Sequence, residues 1–97
     1  MFKKTIISLV LGLSLVAAAP ATAGCFADYK AKQEDPLRLH YGVMKVADSA
    51  CSNGRAASIV KQRLAARGWK LLKVLSTFDD SGLASRKAKA GANYLKY

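Results

Sequence analysis

An α+β fold is what the sequence predicts: a small two-layer domain of about three strands backed by two or three helices and closed by one disulfide. Three observations carry that expectation. Hydrophobic spacing switches several times between a strand-like period of two and a helix-like period of 3.6 along residues 24–97. The links between these segments are short, which favours neighbours packed in two layers. Two cysteines, Cys25 and Cys51, stand in a chain of 97 residues, and domains of this size commonly need a covalent staple.

Residues 1–23 read as a secretory signal peptide. Lys3 and Lys4 form a charged start, residues 5–16 are almost wholly apolar, and Pro20, Ala21 and Ala23 lead to a small-residue cleavage site between Ala23 and Gly24. The apolar run is shorter than the roughly 20 residues of a membrane span, and no later segment is apolar enough to be one. Residues 24–97 are then a single small domain, periplasmic or secreted.

The same junction has a second reading. Ala23 and Gly24 before Cys25 also suit a lipoprotein signal, which would anchor the chain to a membrane through Cys25. Thr22 stands where that signal wants a long aliphatic residue, and lipidation would leave Cys51 without a partner. The disulfide Cys25–Cys51 is therefore the favoured outcome in an oxidising compartment. Closing the loop from residue 25 to 51 stabilises the fold by roughly 3 to 4 kcal/mol in the chain-entropy model.

Helix formers dominate residues 26–34, with Phe26, Tyr29 and Gln33 on one side, so a short helix is expected there, ending before Pro36. Residues 37–43 alternate apolar and polar, the pattern of a half-buried strand continuing to Val46, with Leu37, Leu39, Tyr41 and Val43 facing the core. One face of the sheet should therefore be partly open to water. Residues 48–53 form a loop carrying Cys51. Ser52 or Asn53 caps a helix over residues 54–67 whose core stripe is Ala56, Ala57, Ile59, Val60 and Leu64, and Gly68 closes it. Residues 69–78 carry apolar side chains in both phases, which predicts a central strand. Asp79, Asp80 and Ser81 start a last helix over residues 82–90, ended by Gly91, with Arg86, Lys87 and Lys89 near its negative end. Residues 92–97 read as an edge strand.

The chain carries 16 basic against 6 acidic residues, a formal net charge of +10, and still +8 without Lys3 and Lys4. Such an excess favours anionic partners such as phosphate-rich lipid headgroups, polyanionic glycolipid or nucleic acid, with solubility and colloidal repulsion as the plainer and favoured account. The candidate site is anion-binding: Arg63 and Arg67, four apart on the edge of the helical apolar stripe, with Lys70 and Lys73 on the strand that follows. The competing account lays the arginine stems over the core rim and their heads in water. No nucleic acid is expected as partner, because the aromatic residues make no paired stacking platform and no helix-turn-helix spacing occurs.

Catalytic chemistry finds little footing. His40, the single histidine, falls on the polar, exposed side of the expected strand, and no serine sits in a nucleophile-elbow context. A small enzyme using His40 is the minor alternative; the main expectation is no enzyme. Cys25, His40 and Cys51 lack metal-ligand spacing, so neither a metal nor another cofactor is expected.

Residues 25–32 (CFADYKAK), 35–43 (DPLRLHYGV) and Gly68-Trp69 together resemble a group of small exported bacterial proteins of unknown function. The resemblance implies an exported single domain and assigns no substrate or catalytic residue. The sequence thus leads to an uncharacterised exported basic protein acting as a binding or structural module for an anionic or envelope partner.

Overall fold

Three antiparallel strands and two helices make up residues 24–97, the part of the chain that the computed structural model describes. The expected signal peptide lies outside the described residues. Strand β1 (Cys25–Gln33) pairs on one side with β2 (Arg38–Val46) and on the other with β3 (Lys70–Phe78), giving the order β2-β1-β3. Helix α1 (Asn53–Ala65) carries the chain from β2 across β1 to β3, and helix α2 (Ala84–Ala90) follows β3. The α+β class, the number of strands and the Cys25–Cys51 disulfide are as expected, though one of the three strands is not.

The central strand is not the expected one. Residues 25–33 form β1, where their helix propensities predicted a helix. Propensity differences among such residues are below about 1 kcal/mol each, and backbone pairing along both edges outweighs them. The period of two is present but muted by small side chains: Cys25, Ala27, Tyr29 and Ala31 are all buried in one core, while Phe26 belongs to a second core on the other face.

Strand β3 is correspondingly an edge strand, not a central one. Its register against β1 runs from Phe26↔Phe78 to Lys32↔Lys70 but passes over Leu75 and Leu72 at two irregularities. Each inserts one residue and resets the phase. Apolar residues on both phases of β3 therefore reflect two bulges rather than two buried faces.

Helix α1 forms as its sequence dictates. The Ser52 hydroxyl accepts from Arg55 N at 3.3 Å, and Gly68 adopts φ 82° past the end, where Trp69 N donates to Leu64 O at 2.9 Å. Ala56, Val60 and Leu64 are buried, with Ala57 and Ile59 partly so. They pack on Ala27, Tyr29, Ala31, Met44, Val46 and Val74. The disulfide joins the first residue of β1 to the loop before α1, with a Cα–Cα distance of 5.7 Å that is ordinary for such bonds.

The opposite face of the sheet carries a smaller cluster of Phe26, Val43 and Ala90, flanked by Tyr41, Phe78, Leu83 and Tyr94. Helix α2 is only seven residues long, about 10 Å, so it covers one end of that face. The expected core set of β2 splits accordingly. Val43 is buried and Tyr41 half-buried, but Leu37 and Leu39 are exposed, and Met44 and Val46 enter the main core in their place.

Residues 92–97 do not form the expected edge strand. A 3-10 turn occupies Gly91–Asn93, and a single parallel bridge, Val43↔Tyr94, touches β2. Leu95, whose N–H donates to Val43 O at 2.8 Å, has φ 55°, and that left-handed backbone ends any extension.

One contact fixes β1 against β2. Tyr29 lies opposite Gly42 and is fully buried; a Cβ on Gly42 would run into its Oη and lie 2.6 Å from its Cζ. The bare glycine gives the ring its place. Gly42→Ala is expected to lower the unfolding free energy by about 1–3 kcal/mol through overpacking, read as a lower urea midpoint at unchanged slope.

Candidate functional site

The uncovered end of the sheet presents cations flanked by leucines. Lys30 lies directly opposite Lys73, and Lys32 opposite Lys70. Like charges facing each other across strands destabilise a sheet. Glu34 sits 2.7 Å from the Lys32 ammonium, and that hydrogen bond, with the charges of Lys32 and Lys70, holds its carboxyl below the usual range. Lys30 and Lys73 have no such relief: among the described residues the ion pairs are Lys32–Glu34 and Arg86–Asp28.

Beside Lys30 an open cavity of about 250 Å³ is walled by Leu39, Tyr41 and Leu72. Leu39 and Leu72 are 66 % and 49 % exposed, Leu72 being one of the two residues the register passes over. From α2, the Lys89 ammonium reaches to 4.9 Å from the Tyr41 ring centroid, adding a cation at the boundary of the patch.

The four residues expected to bind anions do not form one cluster. Arg63 and Arg67 lie on the α1 side, where with Lys96 and Tyr97 they line a groove of about 220 Å³. The Arg63 guanidinium donates to Lys45 O at 2.8 Å, and that of Arg67 lies 5.4 Å from the Tyr97 ring centroid. Lys70 and Lys73 pair with Lys32 and Lys30 on the far side of β1. Lys70 also lines a groove with Lys61 and Ala65 at the α1 edge, so it is Lys73 that the sheet sets apart from the arginines.

His40 is not on the exposed polar face. It pairs with Ala31, on the α1 side, half-buried among aromatic rings: Trp69 edge-on with centroids 4.3 Å apart, Tyr97 stacked at 5.7 Å and Tyr29 edge-on at 5.4 Å. The reason is the phase of β2, which sends His40 to the same side as Gly42, Met44 and Val46. Its Nε2 lies 3.0 Å from Tyr29 Oη. Burial, with a smaller push from Lys96, lowers the His40 pKa, which keeps the ring neutral near pH 7. Burial, together with Tyr97, raises that of Tyr29. Cys25 and Cys51 share their sulfurs with each other, and no group of three or more potential metal ligands occurs among the described residues.

A polar centre that the sequence did not single out lies beneath α2. Asp28, 6 % exposed, accepts hydrogen bonds from Ser76 Oγ at 2.6 Å, Tyr41 Oη at 2.8 Å and Arg86 Nε at 3.1 Å. Arg86 also donates to Gly82 O at 2.7 Å and stacks 3.8 Å above the Phe78 ring centroid. Burial alone would raise the Asp28 carboxyl, but the hydrogen bonds from Ser76, Tyr41 and Arg86 and the arginine charge outweigh it and lower its pKa. Tyr41, half-buried and donating to this carboxylate, is pushed up to about 12. In the sequence Asp28 stands out only as the one acidic residue among residues 25–33.

No family model, curated protein or solved structure matches the chain. No helix among the described residues is long and apolar enough to cross a membrane. Fold and geometry define a small disulfide-closed α+β domain with a lysine-lined open sheet face.

The sign of the Asp28 shift sets a pH dependence. Because its folded pKa is depressed, its contribution to stability is complete above the unfolded value of about 3.9 and disappears as pH falls through the lowered one. Asp28→Asn is expected to cost about 2–3 kcal/mol at pH 7. It should also flatten the acid limb of the stability curve below about pH 4, measured by urea unfolding at successive pH values.

Proposed function

We propose that this protein is an exported, non-enzymatic binding module for an anionic partner in the cell envelope, and that it binds through the open sheet face. The observation that carries the reading is the Lys30–Lys73 pair, two lysines in register opposite each other with no ion-pair partner among the described residues. An arrangement that costs stability is relieved when an anion lies between the two ammonium groups. The packing of His40 between rings, with Tyr29 as its hydrogen-bond partner, supports a structural role for that histidine rather than an acid–base one.

Export is supported by the disulfide, which suits an oxidising compartment. The disulfide also favours processing between Ala23 and Gly24 over lipidation, since Cys25 is bonded to Cys51. Intact mass spectrometry of the native protein is expected to give a chain beginning at Gly24 and two hydrogens lighter than its reduced form. A diacyl addition on Cys25 would overturn this processing.

Retention on phosphocellulose distinguishes the two cationic surfaces at equal charge. Lys30→Gln/Lys73→Gln is expected to elute at clearly lower salt than Arg63→Gln/Arg67→Gln, which removes the same net charge from the other side. Equal elution would reduce the effect to net charge and remove the open face as the site. The reverse order would transfer the site to the Arg63–Arg67 groove.

A further inference from the structure

The open face combines two chemistries that a soluble anion would not need together. Its cations, Lys30, Lys73 and Lys89, suit phosphate oxygens. The leucines on the outer strands, Leu39 and Leu72, remain 66 % and 49 % exposed although α2 continues the chain on the same side of the sheet. Exposed apolar side chains on the two outer strands, flanking Lys30 on the central one, form an interfacial pattern, in which the apolar residues enter the acyl boundary and the cations meet headgroups. From this we infer that the face docks on the surface of an anionic lipid bilayer.

The inference rests on the open-face reading of the preceding subsection and adds the occupant. Charge complementarity selects that occupant. A second copy of the chain, joined by a two-fold axis, would set the same patch against itself, bringing lysines against lysines. Inorganic phosphate or a soluble polyanion would satisfy the ammonium groups and leave Leu39 and Leu72 in water. A bilayer rich in acidic lipid satisfies both sets at once. Paired backbones fix Leu39, Lys30 and Lys73 across the three strands, with Leu72 at the bulge beside Lys73, so little order has to be created on docking.

The test is cosedimentation of the native, disulfide-bonded protein of verified mass with vesicles of phosphatidylcholine and phosphatidylglycerol, and with phosphatidylcholine alone. Binding to the mixed vesicles only is expected. Lys30→Gln/Lys73→Gln and Leu39→Ser/Leu72→Ser should each weaken it at least about fivefold, as expected for groups worth about a kcal/mol at the interface. The leucine variant should keep the phosphocellulose retention of the parent protein, and substitution at exposed positions should keep its urea midpoint.

Undiminished vesicle binding by the leucine variant would overturn the bilayer inference and leave the anion-binding reading standing. So would retention on phosphocellulose with no vesicle binding, which would point to a soluble polyanion or an acidic protein. Sedimentation equilibrium showing a dimer that the leucine variant abolishes would make a second copy the occupant and also overturn it. Failure of the anion-binding reading itself is seen separately, as equal elution of the two charge-matched variants.

Discussion

The buried carboxylate of Asp28 is the constraint around which the second face of the sheet is arranged. An ionised group on a central strand is costly unless its lone pairs are met and its charge is balanced. Ser76 comes from β3, Tyr41 from β2 and Arg86 from α2, so every element bordering that face contributes a donor. Arg86 has to lie flat on Phe78 to reach the carboxylate, and this requires Gly82: a Cβ there would meet Phe78 at 2.7 Å and Arg86 Nη1 at 2.8 Å. The position of α2 follows from these contacts. Where α2 stops, the lysine and leucine surface begins.

The two faces of β1 are built on different principles. Under α1 the strand offers Ala27, Tyr29 and Ala31, an alternation of small and large that admits the helix closely and gives the tyrosine ring the space above Gly42. Under α2 it offers Phe26 and Asp28, an apolar anchor followed by a charge. Lys30 and Lys32 then complete that face in water. A single nine-residue strand thus passes from hydrophobic packing through a neutralised buried charge to solvated cations.

Much of the fold was legible in the sequence because some signals are local. The Ser52 cap, the spacing of Ala56, Val60 and Leu64, and the left-handed Gly68 each state their role within a few turns of one helix. The β1 strand was not legible because its identity depends on partners distant in sequence, and alanine and lysine fit a helix as readily in isolation. In β3 the doublets Leu71-Leu72 and Val74-Leu75 look like a strand buried on both sides; only the register reveals them as bulges. The cationic residues were visible one by one. Their division between opposite sides of the sheet, and the pairing of Lys30 with Lys73, are products of topology that no local pattern encodes.

The position of the disulfide has a bearing on how the chain reaches this topology. β1 must accept β3 only after β2 and α1 have passed by, so the Phe26–Phe78 end of the sheet closes a long contour of chain. With Cys25 bonded to Cys51, the covalent path between those two phenylalanines is roughly halved, a change worth about 0.6 kcal/mol in closure entropy. The oxidised chain therefore searches for its last strand pairing from a lower effective contact order than its linear sequence suggests. The bond that staples the finished domain is also a guide to its assembly.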